Sequence, residues 1–303
     1  MAEALRSGLV VSAHGRHCVV EADDGTQRIC HPRGKKNAVV VGDRVQWLPS
    51  ADEGTIETVL PRRNLLYRQD EIRTKSFAAN IDLVLILVAA QPEFSPMQLA
   101  RALIAAQAQG IEALIVLNKR DLAAAFGKAW ERLAPHRAAG QEVLPLCLRD
   151  GDAQQGDTLA VLRNRLKGRA TLVLGPSGVG KSSLTNALVP LALAETAEIS
   201  QALNSGKHTT THTRWYWVDA DRHTALIDSP GFQEFGLQHI AAPELAMLMP
   251  DLRAHAGECR FYNCTHLHEP GCSVRAAVVA GAIDRHRYEI YRALHTELST
   301  QRY

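Results

Sequence analysis

Gly175-Pro176-Ser177-Gly178-Val179-Gly180-Lys181-Ser182 fits G-x-x-x-x-G-K-[ST], the pattern of a phosphate-binding loop. The chemistry asks for these residue types. Glycines let the backbone take conformations closed to residues with a Cβ. Successive N–H groups then turn inward and cradle phosphate oxygens. The start of a helix behind the loop adds unpaired donors and a favourable dipole. Lys181 would reach the β- and γ-phosphates and act in catalysis there. The Ser182 hydroxyl would ligate Mg²⁺, with Ser183 beside it at the head of the helix.

A second set of residues could read a base. Asn118-Lys119-Arg120-Asp121 has the form N-K-x-D and follows the apolar run Ala113 to Leu117. The carboxyl ends of strands are where α/β sheets bind ligands. The Asp121 carboxylate can accept from both N1–H and N2–H₂ of guanine, a donor pair that adenine lacks. Asn118 would brace the loop, and the Lys119 stem would lie over the base. Asp228-Ser229-Pro230-Gly231 has the form D-x-x-G. Asp228 would hold Mg²⁺ through water, and the Gly231 N–H would sense the γ-phosphate. Between these elements runs the polar segment Asn204 to Arg214. One of Thr209, Thr210 or Thr211 would reach Mg²⁺, and Thr210 is assigned.

The order of the motifs is itself informative. Ordinary small GTPases run phosphate loop, switch threonine, D-x-x-G, then N-K-x-D. Here Asp121 precedes Gly175, and Asp228 comes last. The expected domain is a circularly permuted GTPase whose second switch leads straight into the C-terminal region. Nucleotide state could then move that region as a lever. Phe232 follows D-x-x-G, where Ras-like enzymes carry a water-orienting Gln nearby. An apolar side chain cannot orient water. His208 is therefore assigned that catalytic role, and hydrolysis is expected to need a partner.

Cys259-x₄-Cys264-x-His266-x₅-Cys272 offers three thiolates and an imidazole. Soft sulfur plus nitrogen, four ligands in all, argues for one tetrahedral structural Zn²⁺. His268 is the rival for the imidazole position. A closed site leaves no open coordination position, so its expected role is to fold a small domain.

Composition sets the frame for these motifs. With 303 residues, 46% hydrophobic and 22% charged, the chain has material for two or three globular domains. A net charge of +2 neither demands nor excludes nucleic acid. The longest apolar run, Leu83 to Ala90, is too short to span a bilayer, and Met1-Ala-Glu-Ala-Leu-Arg6 lacks a signal-peptide layout. A cytoplasmic protein without a membrane partner is expected, and its six cysteines point to metal rather than disulfides.

The elements that must position these residues follow from local pattern. Residues 1–68 read as short strands with turns at Asp24-Gly25 and Val41-Gly42-Asp43. A small β-barrel fits them, OB-like first, with an SH3-like barrel as the alternative. Pro61 to Lys75 reads as a basic linker, either solvated or touching phosphate. Residues 69–235 alternate buried strands with helices, as an α/β domain with a mainly parallel sheet does. Ser95, Pro96 and Gln98 give a capping box for the first helix, and Gly110 ends it. Trp215 to Val218 and Thr224 to Ile227 read as a hairpin. Residues 236–303 read as helical around the zinc site, with one long helix over Val274 to Leu298.

The combination resembles the ribosome small subunit-dependent GTPases, the RsgA or YjeQ family. The stretches that carry it are Gly175 to Ser183, Gly206-Lys-His-Thr-Thr-Thr211, Asp228 to Gly231 and Cys259 to Cys272. The resemblance implies hydrolysis of GTP to GDP and phosphate, stimulated by the 30S subunit, in late maturation of that subunit. It also implies that the OB-like and zinc domains touch 16S rRNA. A monomer is expected. One departure is that Cys147, in Val143-Leu-Pro-Leu-Cys147-Leu, stands where the family usually carries a Ser-Ala-like guanine-backing pair. Arg16, Arg33, Lys35 and Lys36 fit contacts to RNA phosphates. Two rival readings remain: a metabolic kinase, which would prefer ATP and leave N-K-x-D unexplained, and an RNA-binding zinc/OB module whose nucleotide site does not turn over.

Overall fold

Alternation of apolar and polar residues in the first sixty positions makes strands with one buried face. The computed structural model describes residues 4–15, 17–34, 39–70, 74–149, 153–189, 212–230 and 235–300. Strands β1 (Arg6–Ala13), β2 (Cys18–Ala22), β3 (Gln27–Pro32), β4 (Arg44–Pro49) and β5 (Gly54–Val59) come first. They pair in the order β1-β2-β3-β5-β4, and β4 returns to β1. The β3–β5 pairing is parallel and the others are antiparallel. An SH3-like meander has no such parallel pair. The closed ring with a Greek-key crossing is the OB arrangement. Val10, Val20, Cys30, Val45, Trp47 and Ile56 fill it.

The stretch read as a basic linker is largely a hairpin, β6 (Leu65–Gln69) with β7 (Thr74–Ala79). Its local charge density hides the two strands, which are held by buried Leu66 and Phe77. Two of its arginines serve the fold. Arg62 grips buried Asp43, with Nη2 2.8 Å from Oδ2. Arg63 donates to Asp82 at 2.8 Å.

Next come β8 (Leu83–Ala89), α1 (Pro96–Ala108), β9 (Glu112–Asn118), α2 (Ala123–Arg132), α3 (Ala134–Ala138) and β10 (Val143–Pro145). Then follow α4 (Ala153–Leu166), β11 (Ala170–Leu174), α5 (Lys181–Leu188), β12 (Arg214–Trp217) and β13 (Ala225–Asp228). The sheet runs β10-β9-β8-β11-β13-β12. It is parallel except for β12, which forms the expected hairpin with β13. The chain leaves β8 in one direction and β11 in the other, so the topological switch point lies between them. All seven residues of β8 are buried, as a central strand between helices requires. Ser95 caps α1 by accepting from the Gln98 N–H at 3.3 Å. Gln98 Oε1 has no partner among the described residues, so only half of the capping box forms there. Ser12 of β1 pairs with Arg214 of β12, which joins barrel and sheet.

The C-terminal region holds a 3₁₀ helix (Ala242–Leu248), α6 (Pro250–Ala256), α7 (Ser273–Val279) and α8 (Arg285–Thr300). The single long helix expected over Val274 to Leu298 is thus two. Gly281 takes a left-handed φ of +76°, a helix stop. Asp284 then caps α8 by accepting from the Arg287 N–H at 3.0 Å.

Candidate functional site: a phosphate loop, a base loop and a Cys₃His cluster

The strand β11 ends at Leu174 and α5 starts at Lys181, so the glycine-rich loop spans the gap as strand, loop, helix. It emerges beside β8, at the switch point. Gly178 and Gly180 have φ of +80° and +103°. At Gly180 a Cβ would also come 2.5 Å from Asn118 Nδ2. That close approach leaves room for a bond between the two loops. Asn118 Nδ2 donates to the Val179 carbonyl at 2.8 Å, and Lys119 Nζ donates to the Gly178 carbonyl at 2.9 Å. The base loop is therefore bolted onto the phosphate loop by its first two residues. Asn118 is 3% exposed and its Oδ1 has no partner among the described residues. A buried acceptor in that condition favours a donor from a bound molecule.

Lys181 folds back over its own loop and donates to the Gly175 and Pro176 carbonyls, both at 2.9 Å. Burial lowers its pKa, and the nearby Asp228 carboxylate opposes that shift. Asp228 ends β13, next to β11 in register with Val173, and is 5% exposed. Its neighbour Ser229 donates to the Val173 carbonyl at 2.7 Å and fixes the turn. Ser177, Ser182 and Ser183 are exposed at the mouth, while Val179 is buried beneath it. Ser182 and Asp228 offer hard oxygens, which fit Mg²⁺. His208, Thr210 and Gly231 lie outside the described residues.

The base loop follows β9. Arg120 donates its N–H to the Leu146 carbonyl at 3.1 Å, tying the loop to the end of β10. Cys147 is fully buried there, with Sγ 3.9 Å from Asp121 Oδ1. So the Cys147 position does come beside Asp121. Arg149, which sequence reasoning missed, lies 3.6 Å from Asp121 Oδ2. No local pattern would have found it, because the contact crosses between two loops.

The ligand atoms of Cys259, Cys264, His266 and Cys272 lie within 4.8 Å of one another. Cys259 Sγ is 3.9 Å from Cys272 Sγ, and His266 Nδ1 is 3.4 and 3.5 Å from these two sulfurs. Zn–S bonds near 2.3 Å and Zn–N bonds near 2.05 Å give tetrahedron edges of about 3.8 Å for S–S and about 3.6 Å for S–N. The donor set and its spacing fit zinc. His266 takes a φ of +60°, which aims its ring inward, while His268 is exposed. The rival imidazole is thereby set aside. Although burial opposes it, hydrogen bonds from Thr265 and His268 hold the Glu269 carboxyl well below the usual carboxylate range. That carboxylate accepts from the Thr265 and Leu267 N–H groups and shapes the ligand loop. Tyr288 and Tyr291 of α8 donate to the His266 and Thr265 carbonyls, each at 2.7 Å.

The two regions are locked together. Phe235 stacks on Phe77 of β7 with centroids 5.5 Å apart. Gln69 donates its N–H to the Gly236 carbonyl at 3.2 Å and accepts from the Gln238 N–H at 3.0 Å, a parallel bridge opposite Leu237. Arg101 of α1 forks onto Glu297 of α8. Arg287 of α8 pairs with Asp251 of α6 at 2.8 Å and donates to His136 of α3 at 3.1 Å. Burial, with Arg287 adjacent, pushes the His136 pKa down to about 3. Phe235 to Gln238 are therefore held against the β6–β7 hairpin and Arg101 of α1.

The model of the RsgA GTPase family matches residues 59–238. The small ribosomal subunit biogenesis GTPase RsgA of Variovorax paradoxus (strain S110) is 64% identical over 307 residues, covering 100% of this chain and 95% of that protein. Its counterpart of the same name in Bordetella pertussis is 51% identical over 296 residues, 97% of each. Among solved structures, YjeQ from Thermotoga maritima has a TM-score of 0.74 at 30% identity, covering 99% of this chain and 100% of that one. YloQ, a circularly permuted GTPase, has a TM-score of 0.73 at 27% identity, covering 99% and 97%.

Proposed function

The chain belongs to the RsgA GTPase family, and from that premise we propose how its residues carry out GTP hydrolysis in small ribosomal subunit biogenesis. It is a GTPase that acts in maturation of that subunit. The observation that carries the residue-level reading is the bolt from Asn118 to Val179, which makes one cleft of the phosphate loop and the base loop.

In this reading Gly175 to Ser183 bind the phosphates, with Lys181 as the cation that stabilises charge on the transferred group. Asn118, Lys119, Arg120 and Asp121 hold the base, and Asp121 selects guanine. Ser182, Asp228 and Thr210 hold Mg²⁺, which neutralises phosphate charge when bound. The Gly231 N–H reports the γ-phosphate, and His208 orients the attacking water. Zn²⁺ on Cys259, Cys264, His266 and Cys272 is structural. Residues 1–68, 69–235 and 236–303 act as barrel, GTPase and zinc domains. The protein works in the cytoplasm as a monomer, and its barrel and zinc domains contact 16S rRNA. Subunit binding stimulates hydrolysis, and GDP then favours release through the clamp at Phe235. No helix among the described residues is long and apolar enough to cross a membrane.

Co-sedimentation with purified small subunits tests the cycle. Retention with a non-hydrolysable GTP analogue and release with GDP are expected. Equal retention in both states would refute nucleotide-controlled release. Single-turnover hydrolysis by His208→Ala with subunits present should be much slower than wild type. An unchanged rate removes His208 from its role.

A further inference from the structure

Both oxygens of the Asp121 carboxylate are engaged. The buried Cys147 thiol lies 3.9 Å from Oδ1, and Arg149 Nη1 lies 3.6 Å from Oδ2. The two partners differ in kind. Cys147 is fixed at the end of β10, whereas the Arg149 side chain is 73% exposed against 18% for Asp121. Among the described residues, the Arg149 guanidinium has no other ion-pair partner.

The guanidinium has a chemical twin in the expected ligand. Guanine presents N1–H and N2–H₂ on one N–C–N unit, which a carboxylate accepts in parallel. An arginine side chain presents N–H groups on the same planar unit. We propose that Arg149 is a built-in stand-in for the guanine edge. It occupies Asp121 while the cleft is empty, and the incoming base must displace it. Arg149 is thus a positioning residue that sets how readily nucleotide enters. The inference rests on the reading of Asp121 as the base-selecting carboxylate. An exposed, loosely spaced ion pair is weak, so the restraint on base binding is about two- to fivefold, not a block.

The test uses the full-length protein and fluorescent GDP in stopped flow. Arg149→Ala should bind GDP about two- to fivefold more tightly, mainly through a faster association. The gain should shrink at high ionic strength, because salt screens an exposed pair. Unchanged or weaker GDP binding by Arg149→Ala overturns the proposal. Asp121→Asn supplies the second arm, since an amide suits the xanthine edge. This variant should trade GDP for xanthosine diphosphate. In its background, Arg149→Ala should leave xanthosine diphosphate binding unchanged, and an equal gain there overturns the proposal. If Asp121→Asn fails to make the trade, the reading of Asp121 itself falls. If it makes the trade while Arg149→Ala is neutral for GDP, only the stand-in falls.

Discussion

Asn118 and Val179 are 61 positions apart in the chain, yet the Asn118 side chain donates to the Val179 carbonyl at 2.8 Å from within the core. This bond joins the N-K-x-D loop proposed to read the base to the glycine-rich loop proposed to bind phosphate. It exists because β9 and β11 flank β8 in one parallel sheet and present both loops at the same edge. The permuted order of the motifs leaves this relationship intact, since only the connections between strands have moved.

Removing that bond should cost binding before it costs folding. Asn118→Ala leaves the Val179 carbonyl buried without its donor, a loss of about 1–3 kcal/mol. GDP affinity should fall about tenfold or more, read by titration calorimetry. The far-ultraviolet circular dichroism should stay that of wild type. Full affinity in the variant would mean that the two loops are positioned independently.

The Cys₃His site gives a sharper prediction, because two histidines compete on paper and only one in space. His268→Ala should keep one zinc per chain by elemental mass spectrometry. Cys264→Ser and His266→Ala should lose most of it and melt at lower temperature, since a structural metal bound only by the folded chain would add its binding free energy to folding. Zinc retained by His266→Ala would move the ligand role elsewhere.

Acid should loosen the contact between α3 and α8 through His136. Its pKa is about 3 in the folded protein and near 6.5 when unfolded, and it faces Arg287, with Asp251 behind. Between those values the unfolded chain binds a proton that the folded chain refuses. Stability therefore falls as pH drops below about 6.5, by up to about 1.4 kcal/mol per pH unit from this group, and the loss stops growing near pH 3. His136→Gln keeps an acceptor for Arg287 but cannot titrate. Its urea midpoint should depend less steeply on pH over that window. Parallel curves for the two proteins would dismiss His136 as the source.

Much of this architecture was legible where the chemistry sits in consecutive residues. The glycine-rich loop, Asn118 to Asp121, Asp228 and the Cys₃His set each stand out by spacing, and the buried run of β8 announces the sheet. The structure brings the four Cys and His ligand atoms within 4.8 Å of one another. What was hidden is non-local. The choice of an OB barrel depends on β3 pairing with β5, which no single strand reveals. The pairs Arg62–Asp43 and Arg287–His136 join residues of different elements, so Arg62 read only as part of a basic linker, solvated or touching phosphate. His266 and His268 are told apart by position in space, since His266 Nδ1 lies against two of the sulfurs while His268 is exposed. The break at Gly281 and Asp284 was different. Its stop and cap signals were present, but the apolar spacing of Val278, Ile283 and Tyr291 masked them.

In the proposed function this cleft hydrolyses GTP in response to the small ribosomal subunit. Multiple-turnover phosphate release, with GTP or ATP and with or without purified small subunits, tests it most directly. Slow turnover of GTP alone, at least a tenfold rise on adding subunits, and no turnover of ATP are expected, with Lys181→Ala inactive throughout. A GTPase rate that subunits leave unchanged, or ATP used as well as GTP, would contradict the account.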